Sequence, residues 1–163
     1  MLYFAYGSNM SLRRLQARTP SARFYHTATL QSHVLKFHKI GRDGSGKCDI
    51  VASDNDSLAV HGVLYELQDE EIQRLDRYEG RGAGYDRETV QVMTRQDCYE
   101  SALTYVATRI DPKLKPFHWY KHHVNRGAVE HQLPIDYIER LARIESVDDP
   151  DLNRQARELS LYD

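Results

Sequence analysis

Short runs of apolar residues, separated by polar segments, fill the first two thirds of the chain. β-Branched and aromatic residues dominate these runs, which predicts strands at 2–6, 24–30, 33–40, 50–52, 58–67, 87–94 and 100–108. Polar segments at 41–47 and 53–57 predict turns between neighbouring strands. The first half of the chain is therefore expected to be mainly β-structure.

Helical spacing of apolar residues, bounded by capping and terminating residues, predicts helices at 11–18, 68–78, 117–129 and 135–144. Ser11 is suited to cap the first of these helices, and Gly80 is suited to end the second. Strands and helices of this number in one small domain predict an α+β fold, with a mixed sheet of about six strands curled into a barrel and helices on its flanks. We predict one domain over residues 1–150 and a polar, mobile tail over 151–163.

Composition and charge narrow the classes of partner. Lys and Arg together number 22 against 24 Asp and Glu, so the net charge of −2 gives no reason to expect nucleic acid as a partner. Cys48 and Cys98 are too few for a disulfide framework and predict reduced thiols in a cytoplasmic protein. No apolar run approaches the ~20 residues that span a bilayer, and no basic segment precedes Leu2, so no membrane association is expected.

The first candidate site is the point where the opening strand breaks. The aromatic run ends at Tyr6 and continues directly into Gly7, Ser8 and Asn9, which predicts a tight turn at the strand's end. Backbone N–H groups in such a turn, with a hydroxyl and an amide beside them, are suited to hold a carboxylate or a developing oxyanion. The turn is therefore expected to form half of an active site.

The second candidate is Glu79, at the C-terminal end of a predicted helix. A carboxylate there faces the negative end of the helix dipole, which favours the protonated form, and an aromatic-lined pocket would favour it further. Such a carboxyl can both accept and donate a proton. The glycines that follow would allow close approach of a ligand. Taken alone, however, a glutamate that ends a helix before a glycine is usually solvated surface.

Taken together, the two segments resemble the γ-glutamylcyclotransferase family, whose motifs occur here in the same order as Phe4-Ala5-Tyr6-Gly7-Ser8-Asn9 and Leu75-Asp76-x-x-Glu79-Gly80. The resemblance covers roughly residues 2–150 and extends to Pro20-Ser21-Ala22, Ala28-x-Leu30-Gln31, Gly62-Val63-Leu64-Tyr65, Tyr120-Lys121, Gly127-Ala128, Leu133-Pro134-x-x-Tyr137 and Ile144-Glu145. It implies an enzyme with the family's barrel-like fold.

The resemblance also implies a reaction. The α-amine of a γ-glutamyl amide attacks its own γ-carbonyl, which gives 5-oxoproline and releases an amino acid or another amine, with no metal, nucleotide or other cofactor. By resemblance, Glu79 is the catalytic acid and base, and Tyr6, Gly7, Ser8 and Asn9 form the loop that binds the γ-glutamyl group. Tyr120 matches a tyrosine that lines the family's pocket, although packing of the C-terminal helix explains it equally well. Tyr85 lies one position from where the family often has an aromatic residue.

The resemblance leaves the function, the leaving amine and the oligomeric state open to more than one interpretation. A catalytically inactive small-molecule-binding or regulatory protein on the same fold is the alternative function, but such proteins typically lack an acidic residue at position 79. The loop is closer to the type that acts on γ-glutamyl amino acids than to glutathione-specific relatives. The leaving amine is not readable from the sequence. Family members are often homodimers, yet no exposed apolar stripe is visible here.

Two other patterns mimic known sites. Residues 41–48 almost match a phosphate-binding loop, but Cys48 replaces its hydroxyl residue and a strand follows instead of a helix, so a hairpin turn is expected. His118 and His122 have the spacing of zinc ligands on a helix, but neither a Cys partner nor an H-E-x-x-H motif accompanies them. No metal site is predicted.

Overall fold

The computed structural model describes residues 1–163 and contains a closed β-barrel of five strands beside a separate two-stranded sheet. The barrel strands follow the order β1, β5, β2, β6 and β7, and β1 closes the barrel by pairing parallel to β7 at Tyr3 and Leu103. The strands are β1 Leu2–Ala5, β2 Arg23–Gln31, β3 His33–Ile40, β4 Gly46–Ala52, β5 Ala59–Glu66, β6 Tyr85–Thr94 and β7 Tyr99–Ala107. The predicted α+β barrel is confirmed.

Five α-helices lie outside the barrel: α1 Leu12–Gln16, α2 Asp69–Glu79, α3 His118–Glu130, α4 Ile135–Arg143 and α5 Leu152–Leu159. Two 3₁₀ helices, Ser8–Met10 and Ser160–Tyr162, complete the secondary structure. α3 packs directly on the first 3₁₀ helix, where a Cβ on Gly127 would lie 2.5 Å from the backbone of Met10. This close contact ties the C-terminal helices to the turn that follows β1. No helix is long and apolar enough to cross a membrane.

The barrel strands contribute buried side chains on both of their faces. Phe4, Val63 and Leu64 are fully buried where β1 pairs with β5, and Tyr65 reaches from β5 to donate a hydrogen bond to the carbonyl oxygen of Met10 at 2.6 Å. β1 is buried along nearly its whole length because strands lie on both sides of it. The site at its end therefore stands on a rigid support.

The sequence predicts one curled sheet, whereas β3 and β4 form a hairpin of their own. The turn between them is the segment that resembles a phosphate-binding loop. Gly41 donates its N–H to the carbonyl oxygen of Ser45 at 2.8 Å, and Gly44 adopts a φ of +80°, a conformation that glycine accepts readily. A strand follows this turn, so the predicted hairpin is confirmed.

The C-terminal segment differs from the expected mobile tail. Asp151 caps α5 by accepting a hydrogen bond from the N–H of Arg154 at 2.9 Å, and Glu158 forms an ion pair with Arg14 of α1 at 2.5 Å. Asp149 accepts hydrogen bonds from Trp119 Nε1 at 2.7 Å and from Arg154 Nε at 2.6 Å. Polar contacts connect this helix to the rest of the chain, because its apolar residues, although helically spaced, are all exposed.

Candidate active site

The turn after β1 forms one wall of the site. The chain leaves the strand at Ala5 and enters the 3₁₀ helix at Ser8. The N–H of Gly7 makes no hydrogen bond within the chain, and neither does the hydroxyl of Ser8, which lines the cavity. Gly7 is also tightly packed, because a Cβ there would lie 2.9 Å from the Cβ of Cys48. The predicted turn thus presents two free donors in a closely packed place.

Glu79 is the last residue of α2, and the helix ends as the sequence predicts. Gly80 adopts a left-handed conformation with a φ of +67°, and Arg81 donates its N–H to the carbonyl oxygen of Asp76 at 3.0 Å. This termination fixes the direction in which the chain leaves the helix. The Glu79 side chain is 14% exposed. The interpretation of Glu79 as solvated surface is therefore wrong.

Asp76, the other acidic residue of the second motif, anchors the end of α2 to the barrel. It accepts hydrogen bonds from Arg87 on β6, with 2.6 Å to Nε, and from Tyr105 Oη on β7 at 2.8 Å. Burial raises the pKa of Asp76, but the hydrogen bonds from Arg87 and Tyr105 outweigh this effect and lower it overall. The carboxylate therefore stays charged and holds in place the helix turn that carries Glu79.

Glu79 meets the turn directly. Its Oε1 accepts a hydrogen bond from Asn9 Nδ2 at 2.9 Å and one from the Arg18 guanidinium at 3.2 Å. Arg18 also donates to Asn9 Oδ1 at 2.9 Å, so the three side chains form a closed network. Both donors bind the same carboxylate oxygen and hold the side chain in one orientation. Oε2 makes no hydrogen bond within the chain and remains available to a ligand.

Five tyrosines surround this carboxylate in a recess of about 30 Å³: Tyr3, Tyr6, Tyr85, Tyr105 and Tyr120. Burial raises the pKa of all five hydroxyls, so they are protonated at neutral pH. Tyr6 donates to the carbonyl oxygen of Tyr105, and Tyr85 donates to that of Cys48 at 2.6 Å. These hydroxyls fix the positions of the rings.

Tyr120 packs against neighbouring aromatic residues and also lines the cavity. Packing of the C-terminal helix and lining of the pocket are therefore both correct descriptions of this residue. Its ring lies edge-on to Phe37 and Trp119, and its Oη accepts a hydrogen bond from the N–H of Cys48 at 3.0 Å. The ring also borders the recess beside Gly7. Burial raises the pKa of the Cys48 thiol to about 12, so this cysteine is present as the uncharged thiol.

A larger cleft of about 500 Å³ adjoins the recess and shares Ser8, Glu79, Tyr85 and Tyr120 with it. Seven Lys and Arg side chains line the cleft, against three carboxylates. The cleft therefore has the opposite charge balance to the chain as a whole, whose net charge is −2. A cavity of this size accommodates a dipeptide-sized ligand.

All the predicted site residues lie around one cavity: Tyr6, Gly7, Ser8, Asn9, Glu79, Tyr85 and Tyr120. The sequence reasoning missed Arg18, which pairs with Glu79, and Tyr3, whose Oη accepts a hydrogen bond from Asn9 at 3.0 Å. Arg18 closely follows the turn in the sequence, and a search for a counter-ion to Glu79 could have identified it. No sequence signal places Lys39 of β3 in the same cavity.

The two histidines with the spacing of zinc ligands, His118 and His122, are both exposed, and His118 is bonded to Ser146. Their neighbour His123 is buried instead and contacts Arg14, Glu158 and Tyr162. The chain contains no group of three or more His, Cys, Asp or Glu side chains placed to hold a metal ion.

The chain is similar in sequence and in structure to proteins of known family. A family model described as the AIG2-like family matches residues 59–141. Human γ-glutamylcyclotransferase is 34% identical over 153 residues, which cover 90% of this chain and 80% of the human protein. A solved structure of a γ-glutamyl cyclotransferase is similar with a TM-score of 0.86 and 29% identity, covering 96% of this chain and 98% of the other. A human crystal structure is similar with a TM-score of 0.83 and 33% identity, covering 90% of this chain and 89% of the other. The chain belongs to the γ-glutamylcyclotransferase family.

Proposed function

We propose that this protein is a γ-glutamylcyclotransferase that converts γ-glutamyl amides to 5-oxoproline and a free amine. The observation that carries the proposal is the hydrogen bond of 2.9 Å between Glu79 Oε1 and Asn9 Nδ2. It joins the only carboxylate of the recess to the turn after β1, although the two residues are 70 positions apart in the chain. The family relationship to the human enzyme supports the same assignment.

In this proposal the recess receives the γ-glutamyl carbonyl group. The free N–H of Gly7 and the free hydroxyl of Ser8 are the donors that its oxygen would meet. Negative charge grows on that oxygen when the amine attacks, and donors fixed in a closely packed turn stabilise it without rearrangement. The turn therefore both binds the substrate and stabilises the charge that develops during the reaction.

Ring closure itself needs little catalytic assistance from the protein beyond holding the substrate in a bent conformation. The attacking amine and the carbonyl belong to one molecule, so a bent substrate has an effective molarity of up to about 10⁵–10⁸ M. The tyrosine-lined wall serves to hold that bent shape. Tyr85 offers its ring to the substrate, because its hydroxyl hydrogen is donated to Cys48. Tyr120 accepts a hydrogen bond from Cys48 and keeps its own hydrogen to donate.

Proton transfer is the remaining task. The attacking nitrogen must lose a proton, and the departing nitrogen must gain one, because it cannot leave as an amide anion. The unpartnered Oε2 of Glu79 is suited to carry this proton from one nitrogen to the other. Asn9 and Arg18 bind Oε1 and keep Oε2 turned toward the cavity. Asn9 and Arg18 are thus positioning residues for Glu79.

The alternative function is a small-molecule-binding or regulatory protein that has lost turnover. It needs the same cavity but no carboxylate at position 79. A carboxylate held by two donors with its second oxygen free favours the enzyme.

A panel of substrates distinguishes the two functions. The purified protein is incubated with γ-glutamyl dipeptides, glutathione and γ-glutamyl amines, and 5-oxoproline is measured by mass spectrometry. We expect 5-oxoproline from γ-glutamyl dipeptides and a weaker signal from glutathione. Binding of these compounds without any 5-oxoproline would favour the regulatory protein instead.

We also propose that the protein acts in the cytoplasm on small γ-glutamyl compounds. Cys48 and Cys98 are both free thiols, one buried and one exposed, as is typical of a reducing compartment.

A further inference from the structure

One wall of the cleft carries three cations that have no counter-ion: Lys39, Arg42 and Arg109. None of them forms an ion pair or a side-chain hydrogen bond within the chain. The other four cations of the cleft each have a carboxylate partner, in the pairs Arg14–Glu158, Arg18–Glu79, Lys47–Asp43 and Arg154–Asp149. The unpaired wall is therefore a distinct feature, and we call these three residues the cationic wall.

Lys39 is the most informative member of the cationic wall. The residue is only 7% exposed, and its Nζ lies 4.6 Å from the ring centroid of Tyr85. A Cβ on Gly84 would lie 3.1 Å from this Nζ and 3.1 Å from the carbonyl oxygen of Glu79, so the ammonium group lies beside the end of α2. A buried ammonium group without a counter-ion is unfavourable. A ligand anion would relieve that cost.

The three cations come from different segments and lie close together. Lys39 is near the end of β3, Arg42 is in the β3–β4 turn, and the backbone of Arg109 is bonded to Ile40 at 3.0 Å. Burial lowers the pKa of Lys39, and the positive charges of Arg42 and Arg109 lower it further, while Glu79 and Asp43 oppose them. The fold thus brings together like charges that form no ion pair within the chain.

The cationic wall lies where the leaving group of the substrate would extend. Lys39 and Tyr85 border the cleft next to Glu79, and Arg42 reaches over Gly80, where a Cβ would lie 3.2 Å from its guanidinium nitrogen. In the proposed reaction the γ-glutamyl carbonyl group enters the recess, so the departing amine extends into the cleft. An ordinary γ-glutamyl dipeptide carries two carboxylates, one on each half, whereas three cations are unpaired here.

We propose that the cationic wall is an anion subsite that selects γ-glutamyl dipeptides whose leaving amino acid has an acidic side chain. This inference rests on the proposed function, because it assigns the cleft to the departing half of the substrate. Two carboxylates on that half, one from the main chain and one from the side chain, match the unpaired charges better than one does. γ-Glutamyl-glutamate and γ-glutamyl-aspartate are the simplest members of this class.

The test compares two ligands of almost the same shape, γ-glutamyl-glutamate and γ-glutamyl-glutamine. Affinity is measured calorimetrically on the Glu79→Gln variant, so that neither ligand is consumed, and kcat/KM is measured on the parent protein. We expect about tenfold tighter binding and about tenfold higher kcat/KM for the acidic ligand, with both ratios falling as salt is added.

Substitutions test whether the preference for the acidic ligand depends on the cationic wall. Arg42→Gln and Arg109→Gln should each reduce the ratio of the two affinities, and the double variant should bring it close to one. Lys36→Gln is the matched control, because Lys36 is an exposed cation on β3 without an ion pair and outside the cleft. It should leave the ratio unchanged.

The outcomes separate this inference from the proposed function. Equal affinities for the two ligands would overturn the subsite, whether or not 5-oxoproline is formed. A clear preference for the acidic ligand without any 5-oxoproline would support the subsite and overturn the cyclotransferase activity. Failure of both ligands to bind the variant, together with no turnover of either by the parent protein, would overturn both.

Discussion

Two adjoining spaces meet at Glu79, and their walls are built in different ways. The recess is lined by tyrosines, whose hydroxyls are bonded to the chain through Cys48, Tyr105, Asp76 and Asn9. The cleft is lined by charged side chains, three of which form no ion pair within the chain. The recess leaves few groups free for a ligand, whereas the cleft leaves a whole wall free.

This difference separates two tasks that one cavity must perform. A cyclisation depends on the shape of the bent substrate and on one mobile proton, so a rigid wall and a single free carboxylate oxygen serve it well. Discrimination between leaving groups depends on charge and solvation, which unpaired cations supply. Substitutions in the recess should therefore change turnover, and those in the cleft should change the choice of substrate.

Among substitutions in the recess, Glu79→Gln should cause the largest loss of kcat. Glutamine keeps an oxygen that can accept from Asn9 but cannot carry a proton between the two nitrogens. We expect kcat to fall by about 10²–10⁴-fold while the affinity for the γ-glutamyl ligand changes little. The measurement is 5-oxoproline release under steady-state conditions.

Glu70→Gln is the matched control for this variant, because Glu70 is an exposed carboxylate on the same helix. It should retain the parent's kcat. A Glu79→Gln protein that turns over within about threefold of the parent would remove Glu79 from the mechanism.

Gly7→Ala changes the turn after β1, on the other side of the recess from Glu79, and should have a smaller effect than Glu79→Gln. The φ of −117° at Gly7 is accessible to alanine, so the effect is steric: the new methyl group would lie 2.9 Å from Cys48 Cβ and 3.4 Å from Tyr120 Oη. The turn must move away from β4, and we expect kcat/KM to fall by about 10–100-fold, since small displacements of reacting groups are costly. Kinetics and thermal unfolding of the variant separate lost catalysis from lost folding. Unchanged kcat/KM would show that the turn does not contact the substrate.

The smallest predicted effect concerns stability at the paired side of the cleft. Burial lowers the pKa of His123 to about 4, against 6.5 for a free histidine, so the unfolded chain binds more protons between these pH values. The free energy of unfolding should therefore decrease as pH falls from 6.5 to about 4, by about 1 kcal/mol per pH unit. Burial raises the pKa of Glu158, but hydrogen bonds from His123 and Arg14 lower it overall to about 2, which extends the loss to lower pH.

Urea unfolding at several pH values tests this prediction. His123→Asn should flatten the pH dependence between 6.5 and 4, whereas His122→Asn, on the exposed side of α3, should not. The same slope in the parent and the His123 variant would contradict the assignment.

The fold and the centre of the site could largely be predicted because their signals are local. Alternation of apolar residues marks the strands, Gly80 marks the end of α2, and the break after Tyr6 marks the turn. The motif pair around Asn9 and Glu79 also indicated that two distant segments meet. The hydrogen bond between these residues agrees with that prediction.

The missed features depend on contacts that no periodicity encodes. The association of Arg18 with Glu79 and the burial of Lys39 beside Tyr85 follow from the packing of α1, α2 and the β3–β4 hairpin around the barrel. α5 was missed for a related reason. It contacts the rest of the chain through ion pairs such as Arg14–Glu158, and its helically spaced apolar residues are exposed rather than buried in the core.

In the proposed mechanism the substrate's own amine, and not water, attacks the γ-carbonyl group. Incubating the protein with a γ-glutamyl dipeptide in ¹⁸O-labelled water and measuring the mass of the product distinguishes the two nucleophiles. We expect unlabelled 5-oxoproline, and no turnover of a dipeptide whose α-amine is acetylated. Free glutamate with ¹⁸O in its γ-carboxylate would overturn the mechanism, because it would show hydrolysis in place of cyclisation.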